Sequence, residues 1–199
     1  MRLPATVRVE YGGLYAEQQK SFTGLVAVFG AAILLVVVLL RYLYESWAAV
    51  LAILAAVLLS VAAVFIGLWV TGTELNISAM MGMTMIVGIV TEVAIFYFSE
   101  LQDLQRREPA RPLPDLLVQA GVNRMRPIAM TTIAAILTLA PLALALGQGA
   151  AMQQPLAVAI IAGLAVQMPL VLLVMPVLFS LVRGSLADES GAARVPTLA

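Results

Sequence analysis

Five apolar stretches constrain the fold of this chain more than any other feature of its sequence. They cover residues 22–40, 47–70, 77–98, 127–146 and 156–182. Each has about the 20 residues that a helix needs to cross a hydrocarbon core of ~30 Å. Because backbone polar groups cannot stay unpaired in lipid, apolar segments of this length predict membrane-spanning helices. We therefore expect an all-α integral membrane protein, a bundle of about five transmembrane helices.

The composition supports a bilayer as the surroundings of the chain. Hydrophobic residues make up 62% of its 199 residues and charged residues only 11%, against roughly 25% charged residues in a soluble domain. The net charge is zero, which gives no reason to expect a nucleic acid partner. With neither Cys nor His, the chain has no disulfides, usual zinc ligands or His-based catalytic sets. No enzyme, resident metal or cofactor is predicted.

The connections between the spans differ in length. Short polar joints at residues 41–46 and 71–76 predict antiparallel neighbours among the first three spans. Residues 99–126 form a long polar connection with three prolines. After Pro112 and Pro114, this connection has a short apolar face made by Leu113, Leu116, Leu117 and Val118. This face predicts a short amphipathic helix at the cytoplasmic membrane surface.

The positive charges predict the orientation in the membrane. Five alternating spans place three of them, Arg2, Arg8 and Lys20, on one side. The other side receives eight arginines: Arg41, Arg106, Arg107, Arg111, Arg124, Arg126, Arg183 and Arg194. The richer side is assigned to the cytoplasm. Residues 21–183 are then the transmembrane domain and residues 184–199 a cytoplasmic tail.

The segment before the first span indicates a longer polypeptide. Residues 6–11 alternate like a β-strand and are followed by Gly12 and Gly13. A lone strand is not stable, so its sheet partners are expected elsewhere. An outward N-terminus with no signal sequence also requires an earlier helix to deliver it. We interpret residues 1–20 as an extracytoplasmic strand and linker.

Glu92 is the outlier among the apolar stretches because it lies within the third span. A carboxylate near the bilayer centre costs roughly 2.5–3.5 kcal/mol even on the lenient insertion scale. Hydrocarbon disfavours the charged form, so Glu92 is predicted to bind and release a proton. The alternative is a protonated or hydrogen-bonded Glu that only joins helices.

Two further residues share a helix face if the fourth helix begins before Pro127. Arg124 and Thr131 lie seven residues apart. Arg124 alone is also explained as a positive anchor at the membrane surface. The threonine is also explained by a hydrogen bond to its own backbone. Composition alone favours these simpler explanations.

Other residues of the spans predict packing. Gly82, Gly88 and Gly163 offer small surfaces for close helix approach. Pro169 and Pro176 predict a bend in the last helix. Thioethers suit Cu(I), but methionine also fills helix interfaces, and we prefer that interpretation for the cluster. This cluster comprises Met80, Met81, Met83 and Met85.

Four segments resemble the C-terminal end of resistance-nodulation-division (RND) efflux permeases, which include acriflavine-type and heavy-metal-type pumps. The first two are residues 11–19 (YGGLYAEQQ) and 42–47 (YLYESW). The third joins LNIS at residues 75–78 to VGIV at residues 87–90. The fourth and most specific is RMRPIAMT at residues 124–131, followed by PLAL, GQG and QPLA. Order and spacing match through about Arg183.

The resemblance implies a proton-driven exporter of drugs or metal ions in a bacterial inner membrane. Such permeases have two similar halves and a periplasmic porter domain, and they work as trimers. This chain would supply the last five helices and a remnant of the porter domain. It would need the N-terminal half, the porter domain, and in such systems a periplasmic adaptor and an outer-membrane channel as partners.

The family's proton relay matches this sequence only in part. Arg124 and Thr131 stand where the family has Arg and Thr. In the drug-exporting branch a lysine stands at the position of Glu92 and pairs with two aspartates of the other half. A carboxylate here changes that network, and the heavy-metal branch also departs from lysine. The resemblance thus supports Arg124 and Thr131 as relay residues, and Glu92, singled out by its place in an apolar span, completes the predicted relay. The alternative function is a truncated or self-assembling helical bundle with a structural role.

Overall fold

A computed structural model of the chain describes the backbone of residues 14–44 and 46–192. Side-chain surroundings are described for residues 19–44 and 46–184. Within the described backbone the regular secondary structure consists of helices joined by short loops and includes no strand. The strand predicted at residues 6–11 and the last part of the predicted tail lie outside the described residues.

The helices form five spans. The bounds are α1 Leu14–Tyr44, α2 Trp47–Thr71, α3 Ile77–Arg107, α4 Leu113–Ala143, α5 Ala150–Pro169 and α6 Met175–Ala192. A π-helical segment, Leu170–Val174, joins α5 to α6, so these two helices form a single span. All five spans are long and apolar enough to cross a membrane. The predicted all-α, five-span fold is therefore confirmed.

The long connection predicted at residues 99–126 is instead mostly helix. α3 continues to Arg107 and α4 already begins at Leu113, so only residues 108–112 join them. The predicted amphipathic helix is the opening of α4 and not a separate element. The reason is that the apolar stripe continues past the spans, since Leu101 and Leu104 of α3 are buried with Leu116 and Leu117 of α4.

The helix ends at the 72–76 joint are fixed by local chemistry. α2 stops at Gly72, whose φ of 65° is left-handed and suits glycine. The side chain of Asn76 accepts a hydrogen bond of 3.0 Å from the backbone N–H of Ala79 and caps α3. The joint is therefore short and defined, which places α2 and α3 antiparallel as predicted.

α5 packs against α2, α3 and α4 and is the central helix of the bundle. A Cβ added at Gly82 would lie 2.8 Å from the Cβ of Ala159, and one at Gly163 would lie 2.6 Å from the side chain of Ile86. A Cβ at Gly67 of α2 would overlap Ala162. These glycines permit close helix contacts that larger residues would block. A Cβ at Gly88 meets nothing within 4 Å.

The two prolines of the last span flank the π-helical segment. Pro169 immediately precedes it, and Pro176 follows it by two residues. Because neither proline has a backbone N–H, two hydrogen bonds of a regular α-helix are lost here. The wider π-helical turn lies where those bonds are missing.

Two tyrosines connect α3 to its neighbours. The hydroxyl of Tyr44, the last residue of α1, donates to the carbonyl oxygen of Ile95 at 2.9 Å. The hydroxyl of Tyr97, which is fully buried, donates to the carbonyl oxygen of Leu117 at 2.9 Å. The rings of Tyr44, Tyr97 and Phe179 surround Phe98 at centroid distances of 5.2 to 5.6 Å. This end of the bundle is therefore held by aromatic packing and hydrogen bonds together.

We predict that Gly82→Ala lowers the stability of the bundle while Gly88→Ala does not. The new methyl at residue 82 would lie 2.8 Å from Ala159 and 3.0 Å from the carbonyl oxygen of Leu156. Relieving such an overlap by backbone shift costs about 1–3 kcal/mol. Unfolding of both variants in mixed detergent micelles measures the difference. Equal free energies of unfolding would contradict the close contact between α3 and α5.

Candidate functional site

A groove of about 490 Å³ lies between α3, α4 and α5. Most of its lining is apolar, with Ile89 and Val93 from α3, Ala135 and Leu139 from α4 and Leu164 from α5 among the lining residues. Five polar or charged side chains also line it: Glu92, Arg124, Thr131, Thr132 and Gln167. All three residues of the predicted relay are thus brought to one groove.

Glu92 occupies the middle of α3. It is the sixteenth of the 31 residues of that helix, which places it roughly 22 Å from either end at 1.5 Å per residue. Its side chain is not covered by the described helices, and it lines the groove. Within the described part of the chain no basic side chain forms an ion pair with it. The carboxylate is therefore open to whatever covers or fills the groove.

Arg124 forms an ion pair with Glu100, a residue that the sequence analysis did not single out. The guanidinium Nη2 lies 2.8 Å from Oε2 of Glu100. The other carboxylate oxygen of Glu100 accepts a hydrogen bond of 2.8 Å from the amide of Asn123. Two consecutive residues of α4 therefore bind the same carboxylate of α3. This joins the opening turns of α4 to the last turns of α3.

Glu92 and Glu100 share one face of α3. They are eight residues apart with Phe96 midway, so the spacing is four and four, about 12 Å along the axis in all. The guanidinium of Arg124 lies 6.0 Å from the centroid of the Phe96 ring, which is midway between the two glutamates in the sequence. Such a position over an aromatic ring favours a cation. Arg124 thus borders the groove but is paired at its Glu100 end.

The two threonines of α4 differ in their surroundings. The hydroxyl of Thr131 is 3.1 Å from the carbonyl oxygen of Pro127 and 3.0 Å from that of Ile128, so it donates to its own helix. This is the local bonding that membrane threonines commonly make. Thr132 is buried, with 7% of its surface exposed. Both residues line the groove, and Thr132 is the more enclosed.

Gln167 of α5 is a further groove residue that sequence reasoning missed. Only 1% of it is exposed, and its amide oxygen has no hydrogen-bond partner. The available signal was a polar amide within an apolar stretch, the same signal that identified Glu92. Glutamine carries no formal charge, so it did not stand out.

The methionine cluster separates onto different faces of α3. Met80 and Met83 are buried in the core, whereas Met81 and Met85 are about half exposed. Met85 lines the groove. Two of the four thioethers therefore fill the helix interface, as the packing interpretation predicts. No cluster of acidic side chains suited to a metal occurs among the described residues.

We predict measurable coupling between Glu100 and Arg124 in a double-mutant cycle of stability. The two side chains are 21% and 33% exposed, so solvent screening limits the expected coupling to about 0.5–1 kcal/mol. Glu100→Gln, Arg124→Gln and the double variant are unfolded in detergent. The ion pair of Glu108 and Arg111 is the matched control, because its partners are more exposed and only three residues apart. Coupling no larger than in the control would contradict a structural role for the pair.

Comparison with known proteins places the chain in a family. Residues 1–183 match the model of the AcrB/AcrD/AcrF family. The swarming motility protein SwrC of Bacillus subtilis is 35% identical over 147 residues, which is 74% of this chain and 14% of SwrC. The cobalt-zinc-cadmium resistance protein CzcA of Cupriavidus metallidurans is 30% identical over 181 residues, or 91% of this chain and 17% of CzcA.

Solved structures show the same likeness in three dimensions. Two crystal structures of a heavy metal efflux pump superpose with TM-scores of 0.74 and 0.70 at 29% and 30% identity. In both cases the match covers 92% of this chain and 18% of the solved one. The chain spans less than a fifth of the length of these relatives. It belongs to the AcrB/AcrD/AcrF family and corresponds to a membrane region of RND efflux permeases.

Proposed function

We propose that the chain forms the C-terminal membrane part of a proton-driven RND exporter of drugs or metal ions. Glu92 is its proton-binding group, assisted by Arg124 and Thr131. The observation that carries the proposal is the position of Glu92 on a groove that also contains these two residues, in a helix long and apolar enough to cross a membrane. A carboxylate in such surroundings is expensive, and this favours a functional role over a structural one.

The chemistry of Glu92 suits proton coupling. Protonation makes the side chain neutral and compatible with an apolar groove, whereas release of the proton leaves a charge that needs polar groups nearby. The groove supplies Arg124, Thr131 and Thr132 within its lining. A change of protonation therefore changes which contacts between α3 and α4 are favourable. Such a local change can bias two arrangements of packed helices.

The substrate class is proposed as drugs or metal ions. The relative CzcA is named for cobalt, zinc and cadmium resistance, and the solved structures are described as a heavy metal efflux pump. Glu92 in place of the lysine of the drug-exporting branch also fits the heavy-metal branch. Metal cations are therefore the first substrates to assay and lipophilic drugs the second.

The proposed location is the bacterial inner membrane, with the N-terminus periplasmic and the C-terminus cytoplasmic. The support is the distribution of eight positive charges on one side and three on the other. The proposed partners are the N-terminal half and the porter domain of the permease, two further copies in a trimer, a periplasmic adaptor and an outer-membrane channel. α1 and α4 bury little of their apolar stretches in the described bundle, which leaves surface for lipid and for these membrane partners.

We predict that Glu92→Gln abolishes proton-coupled export by the permease that contains this chain. The amide cannot take up or release a proton, but it keeps the size of the side chain. Zn²⁺ uptake into inside-out vesicles and the accompanying proton flux, followed with a pH-sensitive dye, measure the effect. At least a hundredfold loss of both rates is expected.

Glu74→Gln is the matched control, because Glu74 lies exposed in the joint between α2 and α3. Its rates should equal those of the unchanged protein. Undiminished export and proton flux in Glu92→Gln would remove Glu92 from the mechanism. Glu92 would then be a protonated or hydrogen-bonded residue that only joins helices.

A further inference from the structure

The side chain of Gln167 needs an explanation that helix packing does not give. Its amide oxygen is buried without a hydrogen-bond partner, although the residue is only 1% exposed. Leaving a buried carbonyl group unpaired is costly, because the group loses its hydrogen bond to water and gains no other. Buried polar groups are nearly always bonded to protein or to ordered water.

The neighbours of Gln167 on α5 make its polarity more unusual. Leu156, Ile160 and Leu164 line the same groove from the same helix. Their spacing of four residues, followed by three to Gln167, continues a single stripe along the helix. A leucine at residue 167 would extend that stripe with no polar atom to satisfy. The amide is therefore placed on the groove where the apolar pattern predicts a hydrocarbon side chain.

A second unpaired polar atom lines the same groove. The Nε of Arg124 is buried and has no hydrogen-bond partner, while Nη2 of the same side chain binds Glu100. Nε can only donate and the Gln167 oxygen can only accept. Water does both, and the groove of about 490 Å³ has room for several molecules at roughly 30 Å³ each. Both atoms are covered by neighbouring protein atoms in this structure, and a rotation of either side chain toward the groove would let ordered water satisfy it.

We propose that Gln167 is a further positioning residue of the proton route, since its amide holds ordered water in the groove beside Glu92. This inference rests on the proposed function of Glu92. In the release step, the O–H bond of the Glu92 carboxyl breaks and the proton adds to the oxygen of the nearest water. That water passes another of its protons to the next molecule, and uptake reverses the order. Gln167 binds the water through its amide and neither gains nor loses a proton.

The first test detects the water without requiring transport. The chain in lipid nanodiscs is exposed to brief radiolysis, which oxidises side chains that contact bound water. We expect Ile160 and Leu164 to be oxidised in the unchanged protein and at least threefold less in Gln167→Leu. Gln167→Asn keeps the amide and should retain most of the labelling. Gln102→Leu, on another face of α3, is the matched control and should leave it unchanged.

The outcomes of the labelling are decisive. Equal labelling of Ile160 and Leu164 in Gln167→Leu and in the unchanged protein would overturn the proposal. So would the absence of labelling in the unchanged protein, which would indicate that no bound water reaches these side chains. A fall that Gln167→Asn reverses supports it.

The second test separates this inference from the proposed function. Proton flux is measured in the permease that contains this chain, with Glu92→Gln, Gln167→Leu and Gln167→Asn compared at equal amounts of folded protein. We expect Gln167→Leu to slow flux at least tenfold and Gln167→Asn to restore it within threefold. The affinity for substrate should not change, which a general loss of structure would not permit.

The combinations of results identify which idea fails. If Glu92→Gln stops proton flux while Gln167→Leu leaves it unchanged, the role of Gln167 is wrong and the proposed function stands. If Glu92→Gln leaves flux unchanged, the proposed role of Glu92 is wrong, whatever the labelling shows of the water. Slow flux in Gln167→Leu that Gln167→Asn does not restore would show a packing role only, and would overturn the inference.

Discussion

The close approach of α5 to α2 and α3 is the contact on which the rest of the bundle depends. Lipid is as apolar as the helices, so burial of apolar surface does not drive them together as it does in water. Association relies on tight packing, and three glycines provide it: Gly67 and Gly82 on the neighbouring helices and Gly163 on α5 itself. With α5 fixed against two partners, its stripe from Leu156 to Gln167 becomes the inner wall of the groove.

α4 is held in a different way, and this explains the shape of the groove. Little of its apolar stretch is buried in the described bundle. Its opening turns are joined to α3 by the Glu100 ion pair, the Asn123 hydrogen bond and the bond from Tyr97 to the carbonyl of Leu117. These bonds thus connect the polar end of α3 to the polar end of α4, next to the apolar spans. The apolar part of α4 then lies beside α5 and leaves the groove open on its outer side.

The sequence predicts the spans well and the site only in part, for reasons that individual residues show. Length and hydropathy identify helices because the bilayer demands them, and a lone carboxylate such as Glu92 is visible in any apolar run. The role of Glu100 is not visible in the sequence because its ion-pair partner, Arg124, lies 24 residues away in the chain. The pair forms only because α3 and α4 turn these two side chains toward each other. Gly82 and Gly88 look alike in sequence, yet only Gly82 meets another helix. The face that each helix turns inward is decided by its neighbours, which periodicity alone does not specify.

The charges around the groove do not balance in every protonation state. With Glu92 ionised, two carboxylates share one face of α3 with the guanidinium of Arg124, which is bound to Glu100. At an axial separation of about 12 Å and an effective dielectric constant of about 20, the two carboxylates repel by roughly 1.4 kcal/mol. Release of the proton therefore favours either movement of Arg124 toward Glu92 or new polar contacts there. Movement of Arg124 would weaken the ion pair that connects α4 to α3. New polar contacts at Glu92 would involve Thr132, Gln167 and bound water. Both link one proton to a change at the contacts of α4, a helix that buries little of its apolar stretch in the described bundle.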